Sequence, residues 1–265
     1  MQRAAEDLAE RLGAVTRTFP IALDLGTPNG AAFRALCNDS RIGSVWRAAA
    51  LVDSATAVVV DEEALPFADG QLGLIVSLLA LQGVNDLPGA LIQIRRALAP
   101  DGLFLGAMLG GSTLTELRQA MAAAEIETEG GLSPRVAPFA DVRDAGALLQ
   151  RAGFALPVTD SDQFTVRYAH PLALMRDLRA MGLGNVLSAR RRKPLKRDTL
   201  LRACAIYAER FADADGKVRA SFELIWLSGW APHASQQKPL KPGSARMRLA
   251  DALGKATSGG PERTD

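Results

Sequence analysis

Ile21-Ala22-Leu23-Asp24-Leu25-Gly26-Thr27-Pro28-Asn29-Gly30 is the stretch that decides the fold. An apolar run that ends on an acid and a glycine reads as a buried strand running into a sharp turn. Ala31 to Leu36 follow with the spacing of a short helix. Strand, glycine turn and helix in that order open a βαβ unit of the nucleotide-binding kind. The glycines matter because they lack a Cβ and tolerate positive φ, so backbone there can approach a ligand closely.

Working outward, residues 4–13 read as an amphipathic helix, with Leu8 and Leu12 four apart and Gly13 as its stop. Val45 to Val52 and Ala57 to Val60 read as short strands, the second closing on Asp61-Glu62. Leu72 to Leu81 is a nearly continuous apolar run, as a parallel strand covered on both faces requires. Leu87 to Leu98 has helical spacing, Pro100-Asp101-Gly102 reads as a turn, and Leu103 to Met108 is the next strand. This alternation predicts a doubly wound, Rossmann-like α/β sheet, mostly parallel. Beyond it, Leu114 to Ile126 and Asp141 to Ala152 read as helices and Gln163 to Tyr168 as a strand. Pro171 to Met181 and Asp198 to Phe211 are again helices, and Ser221 to Trp230 is a late, antiparallel strand. The expected organisation is one domain over residues 1–236, with a helical insertion at about 169–213. Residues 237–265, polar and rich in Lys, Gly and Ser, are expected to form a loose tail.

The net charge of +2 over 265 residues gives no electrostatic argument for nucleic acid, and no nucleic-acid partner is expected. No run approaches the roughly 18 apolar residues of a membrane span, so a soluble chain is expected, with contact at a membrane surface left open. Cys37 and Cys204 are the only cysteines, and Met1 to Arg17 lacks an apolar leader. Both features point to reduced thiols and a cytoplasmic location. With only His170 and His233 present, and neither cysteine in a paired motif, no metal site is expected.

Several segments carry a closer resemblance. Leu23 to Gly30 sits where class I methyltransferases carry a loop of aspartate-x-glycine-x-glycine-x-glycine type. Asp61-Glu62-Glu63-Ala64-Leu65-Pro66-Phe67, Val84-Asn85-Asp86-Leu87-Pro88 and Leu98-Ala99-Pro100-Asp101-Gly102 are similar to the malonyl-carrier-protein methyltransferase group. Phe104 to Arg118, Glu129-Gly130-Gly131-Leu132-Ser133-Pro134 and Pro138-Phe139 resemble a narrower family, that of the mitochondrial respiratory complex I assembly factor that hydroxylates an arginine. Bacterial relatives of that family are usually labelled methyltransferases. The resemblance runs on through Leu174 to Asn185 and Ser228-Gly229-Trp230, nearly the whole chain.

That resemblance implies a site for S-adenosylmethionine. Asp24, Gly26 and Gly30 keep the positions of the first loop, but Pro28 replaces the middle glycine. Proline fixes φ and has no N–H to donate, so a turn needing either cannot form unchanged. Asp53 is the nearest acid to the end of the second strand, where a carboxylate accepts from ribose hydroxyls. The segment after it is too short for the usual helix, and a plain loop aspartate is the competing reading. Asp61 and Glu62 match the adenine position, and Ser77, at the end of the fourth strand, would lie beneath the cofactor. Gln82-Gly83 replaces a His-Trp pair common in relatives.

Methyl transfer proceeds largely by positioning, so the lack of a recognisable catalytic group decides nothing. Glu127, Glu129 and Arg135 flank a glycine-rich segment that reads as a substrate rim, the two acids suited to an arginine through paired hydrogen bonds. The bland alternative is a lid with solvated acids. Arg190-Arg191-Arg192-Lys193 and Lys196-Arg197 read as a solvated connector or as a contact for an acidic partner or anionic lipid. Three functional readings stand. The first is a relative of the complex I assembly factor acting on a protein partner by transfer or arginine hydroxylation. The second is an O-methyltransferase for a carrier protein or small molecule. The third is a non-catalytic assembly chaperone with a degenerate cofactor site.

Overall fold

A computed structural model describes residues 1–53, 55–136, 139–187 and 190–237. Seven strands form one sheet: β1 (Phe19–Leu25), β2 (Ile42–Ala49), β3 (Val58–Val59), β4 (Leu72–Leu78), β5 (Leu98–Leu109), β6 (Ala155–Tyr168) and β7 (Val218–Trp230). Their order is β3-β2-β1-β4-β5-β7-β6, parallel except for β7, which runs antiparallel to both β5 and β6. The helices are α1 (Gln2–Gly13), α2 (Ala31–Cys37), α3 (Leu87–Ala97), α4 (Thr115–Glu129), α5 (Val142–Arg151), α6 (Pro171–Ala180) and α7 (Arg197–Phe211).

Apolar runs without alternation need cover on both sides, and β1, β4 and β5 have it. One face buries Leu8 and Leu12 of α1, Leu36 of α2, Leu117 and Met121 of α4, Leu174 of α6 and Tyr207 of α7. The other buries Leu91 and Ile94 of α3 and Leu149 of α5 against Leu23, Ile75 and Phe104. The strand order reverses between β1 and β4, so the edge at their carboxyl ends is where open α/β sheets take ligands.

The sheet departs from the sequence expectation in two places. Pro100-Asp101-Gly102 does not separate helix from strand. It is a kink inside β5, with Asp101 at φ 62° and the partner strand shifted in register, and bonds to Ala231 keep the segment extended. β6 has 14 residues, eight more than the apolar pattern marks. Its first half carries Pro157, Thr159, Asp160 and Asp162, the polar dress of an edge strand. Between β2 and β3, where the sequence leaves too little room for the usual helix, none occurs among the described residues. Trp46, which pairs with Leu23 on the α3 face, is consequently 46 % exposed, and Leu51 and Val52 stand in solvent.

Met1–Pro232 form one compact unit, and His233 opens a second. Of that second unit residues 233–237 are described, as a turn in which Gln236 N–H donates to the His233 carbonyl. The rest of the expected tail lies outside the described residues. Among them, no helix is long and apolar enough to cross a membrane.

Leu74, fully buried on β4 between β1 and β5, reports on this core. Leu74→Ala is expected to destabilise the protein by about 2–5 kcal/mol in urea unfolding; a loss under about 1 kcal/mol would mean that the core is not close-packed there.

Candidate functional site

The site begins where β1 stops. Asp24 is fully buried, and its Oδ2 accepts from the Phe33 N–H of the first turn of α2 at 3.1 Å. Gly26 has φ 71°, and the chain then enters a single 3-10 turn over Pro28–Gly30. Pro28 takes the first position of that turn, where a fixed φ is welcome and the missing N–H goes unused. The left-handed conformations fall instead on Gly26, Asn29 and Gly30. Thr27, also buried, accepts at Oγ1 from Leu78 N–H at 3.0 Å and so fastens the loop to the end of β4. Just past that end, Leu79 holds φ 55°, a strained conformation for a branched side chain at a ligand edge.

Arg47 dominates the site, and the motif reading missed it. It lies on β2 directly beside Asp24, and only 4 % of its side chain is exposed. Its Nε lies 3.5 Å from Asp24 Oδ2. Nη2 donates to the Thr27 carbonyl at 3.0 Å, and Nη1 donates to Thr56 Oγ1 at 3.2 Å and to the Asp53 carboxylate. A signal was present: a lone arginine inside Val45-Trp46-Arg47-Ala48-Ala49 implies a buried charge, which needs a partner. Burial pushes the Asp24 carboxyl up to about 6, against the opposing pull of Thr27, Arg47 and the Phe33 N–H.

The other expected residues fall as follows. Asp53 is partly exposed and accepts from Ala55 N–H and Thr56 Oγ1 as well as from Arg47; the Ala55 bond leads in holding its carboxyl below the usual range. Asp61 accepts from Glu63 N–H at 2.8 Å. Glu62 reaches over the first loop: a Cβ added to Gly26 would meet its Oε1 at 2.5 Å. Ser77 is buried beneath the edge, its hydroxyl without a hydrogen-bond partner. Gln82 donates to the Leu79 carbonyl at 2.6 Å.

A cleft of about 520 Å³ opens beside the loop. Pro28, Asn29, Leu79 and Gln82 form one wall; Leu109, Phe164, Phe222 and Leu224 form another; Tyr168, Asp177 and Leu183 close the third. Tyr168 Oη donates to Asp177 Oδ2 at 2.7 Å, and burial followed by that carboxylate raises the phenol strongly. A second cavity of about 230 Å³ shares Gln82, Gly182 and Leu183 with the first and reaches Arg135 and Asn185.

The expected substrate rim is knitted into the fold. Glu127 pairs with Arg202 of α7, the main cause of its lowered carboxyl. Glu129 pairs with Arg191 at 2.5 Å and Lys196 at 3.4 Å and accepts from Thr199. Arg135 pairs with the buried Glu125 at 2.6 Å. Arg191 and Lys196 of the basic run therefore neutralise the chain's own acids. His170 caps α6, its Nδ1 accepting from Ala173 N–H, and His233 lies in the second unit.

A methyltransferase-domain family profile matches residues 23–106. The chain is 42 % identical over 253 residues to arginine-hydroxylase NDUFAF5, mitochondrial, of Danio rerio, covering 92 % of this chain and 78 % of that one. It is 35 % identical over 259 residues to the malonyl-[acyl-carrier protein] O-methyltransferase of Halorhodospira halophila, covering 93 % and 86 %. Among solved structures, the YcgJ protein of Bacillus subtilis superimposes with a TM-score of 0.59 at 13 % identity, over 88 % of this chain and all of that one, a likeness of fold. The cytoplasmic location expected from sequence is corrected by the first relative, a mitochondrial protein. The reason is physical: free thiols distinguish reducing from oxidising surroundings and nothing finer.

Asp24 supplies a pH test. Its carboxyl binds a proton more tightly folded than unfolded, so its contribution is complete below about pH 4 and is lost as pH rises through about 6. The loss is on the order of 3 kcal/mol. Urea titrations from pH 4 to 7 are expected to show a flatter profile for Asp24→Asn than for the wild type; parallel profiles would contradict the assignment.

Proposed function

Because the chain belongs to the arginine-hydroxylase NDUFAF5 family of methyltransferase-fold proteins, we propose that it acts on an arginine-bearing segment of a respiratory complex I subunit, in the mitochondrion. The observation that carries this reading is the cleft beside Pro28. Its largely apolar walls suit the methylene stem of an arginine, and Asp177, which also accepts from Tyr168 Oη, sets one carboxylate at its rim to face a guanidinium, while Arg3, the cation in the same lining, is paired with Asp162. Glu127 and Glu129, the acids first expected to do this, already hold Arg202 and Arg191. Carrier-protein methyl transfer is the less favoured reading, since the relative named for it is the more distant.

The cofactor expected on family grounds, S-adenosylmethionine, does not fit the side chains as they stand. The space opened by Gly26 holds Glu62, the space opened by Gly30 holds Arg47, and Asp53 is bound by Arg47. The same observation favours a second reading, an assembly factor that keeps the fold and the partner without the cofactor chemistry.

Immobilised protein exposed to solubilised mitochondrial extract is expected to retain a complex I subunit, and Asp177→Asn to weaken its retention by roughly tenfold, the worth of one charge-assisted hydrogen bond. Mass spectrometry of the retained subunit separates the two readings: an arginine gaining one oxygen supports hydroxylation, and unmodified arginines support the scaffold. Retention of an acyl carrier protein in its place would overturn both.

A further inference from the structure

We propose that the guanidinium of Arg47 closes the nucleotide cleft of this chain from within, and that Arg47 decides whether an adenosine-type ligand enters. The inference rests on the family reading only in taking the cleft to lie at the β1–β2 edge, where a methyltransferase fold presents its first loop.

The groups that Arg47 engages come from the two walls a bound ribose would bridge. The Thr27 carbonyl, at 3.0 Å, belongs to the loop after β1; Thr56 Oγ1, at 3.2 Å, and the Asp53 carboxylate belong to the loop after β2. The glycine that would let a ligand approach lets Arg47 approach. A Cβ on Gly30 would stand 3.3 Å from Arg47 Nε and 3.6 Å from its Cζ. The short connection from β2 to β3 makes the contact reachable, since Asp53 lies only six residues after Arg47 and folds back onto it. A full helix in that connection would carry the acid away.

The closure is incomplete in its bonding. Asp24 Oδ1 and Arg47 Nε are both buried without a hydrogen-bond partner. The Asp24–Arg47 contact is thus held by charge and packing, while the Nη atoms of Arg47 tie it to the two loops. Electrostatics point the same way. Arg47 neutralises Asp24 and Asp53, the two acids that face the cleft from β1 and from the loop after β2. A sulfonium or ammonium ligand thus meets both of these acids already paired, leaving Glu62, over Gly26, as the acid there that Arg47 does not engage. Losing the guanidinium restores both carboxylates.

Isothermal titration with S-adenosylhomocysteine and S-adenosylmethionine tests this without any partner protein, so its failure is separable from failure of the proposed function. The wild type is expected to bind more weakly than about 1 mM. Arg47→Ser is expected to bind at least roughly tenfold tighter, because the closed state no longer competes. Should Arg47→Ser fail to fold by thermal melting, Arg47→Met keeps the stem, drops the head and carries the same expectation. Micromolar binding by the wild type would overturn the proposal, since the cleft is then open as it stands. Folded variants that bind no better than the wild type would overturn it too, since something other than Arg47 closes the cleft.

Discussion

A carboxylate and a guanidinium face each other inside the sheet, Asp24 on β1 and Arg47 on β2, both nearly devoid of solvent. Leaving either charge there alone would cost several kcal/mol. The pair therefore constrains whatever touches it. The loop after β1 must bring its Thr27 carbonyl to the guanidinium, Gly30 must stay without a side chain, and the connection after β2 must return Asp53 to the same head. These are the elements at which the family resemblance places a cofactor site, and in this structure the protein's own cation engages them.

A similar economy governs the other side of the molecule. Glu125 and Glu129 of α4 are nearly buried and are answered by Arg135, Arg191 and Lys196. Burial alone would raise the Glu125 carboxyl, yet Ser133 and Arg135 bring it below the usual range. Charges that look free in the sequence, a glycine-flanked pair of acids and a run of basic residues, are in good part each other's counter-ions. Among the described residues, a largely apolar cleft lies open between the first loop, β6–β7 and α6, with Asp177 at its rim.

The fold was legible because its signals are local. The apolar run of Leu72 to Leu81, of which β4 takes Leu72–Leu78, the glycines at 26 and 30 and the spacing of Leu87, Leu91 and Ile94 each specify an element through its own neighbours. The first half of β6 was not, since an edge strand needs no apolar period and Asp160 and Asp162 hide it. The site was legible in its backbone and less so in its side chains. Asp24, Gly26 and Gly30 are expected by position in a motif, and the structure gathers them at the end of β1. Arg47 and Tyr168 belong to no motif, Asp177 lies in the resembling stretch Leu174 to Asn185 with no role read from it, and all three become neighbours of the site only when β2, β6 and α6 are packed. Pro28 was read as an obstacle, and the chain absorbs it by moving the left-handed conformation to Asn29.

The central claim is that Asp24 and Arg47 form one energetic unit on which the loop depends. A double-mutant cycle of Asp24→Asn and Arg47→Met, followed by urea unfolding at pH 7, tests it most directly. The account predicts that Arg47→Met alone costs about 3 kcal/mol, because it strands a buried carboxylate. The double variant should then lose at least about 1 kcal/mol less than the sum of the singles. Losses that add to within about 0.5 kcal/mol would contradict it, placing the two side chains side by side without coupling.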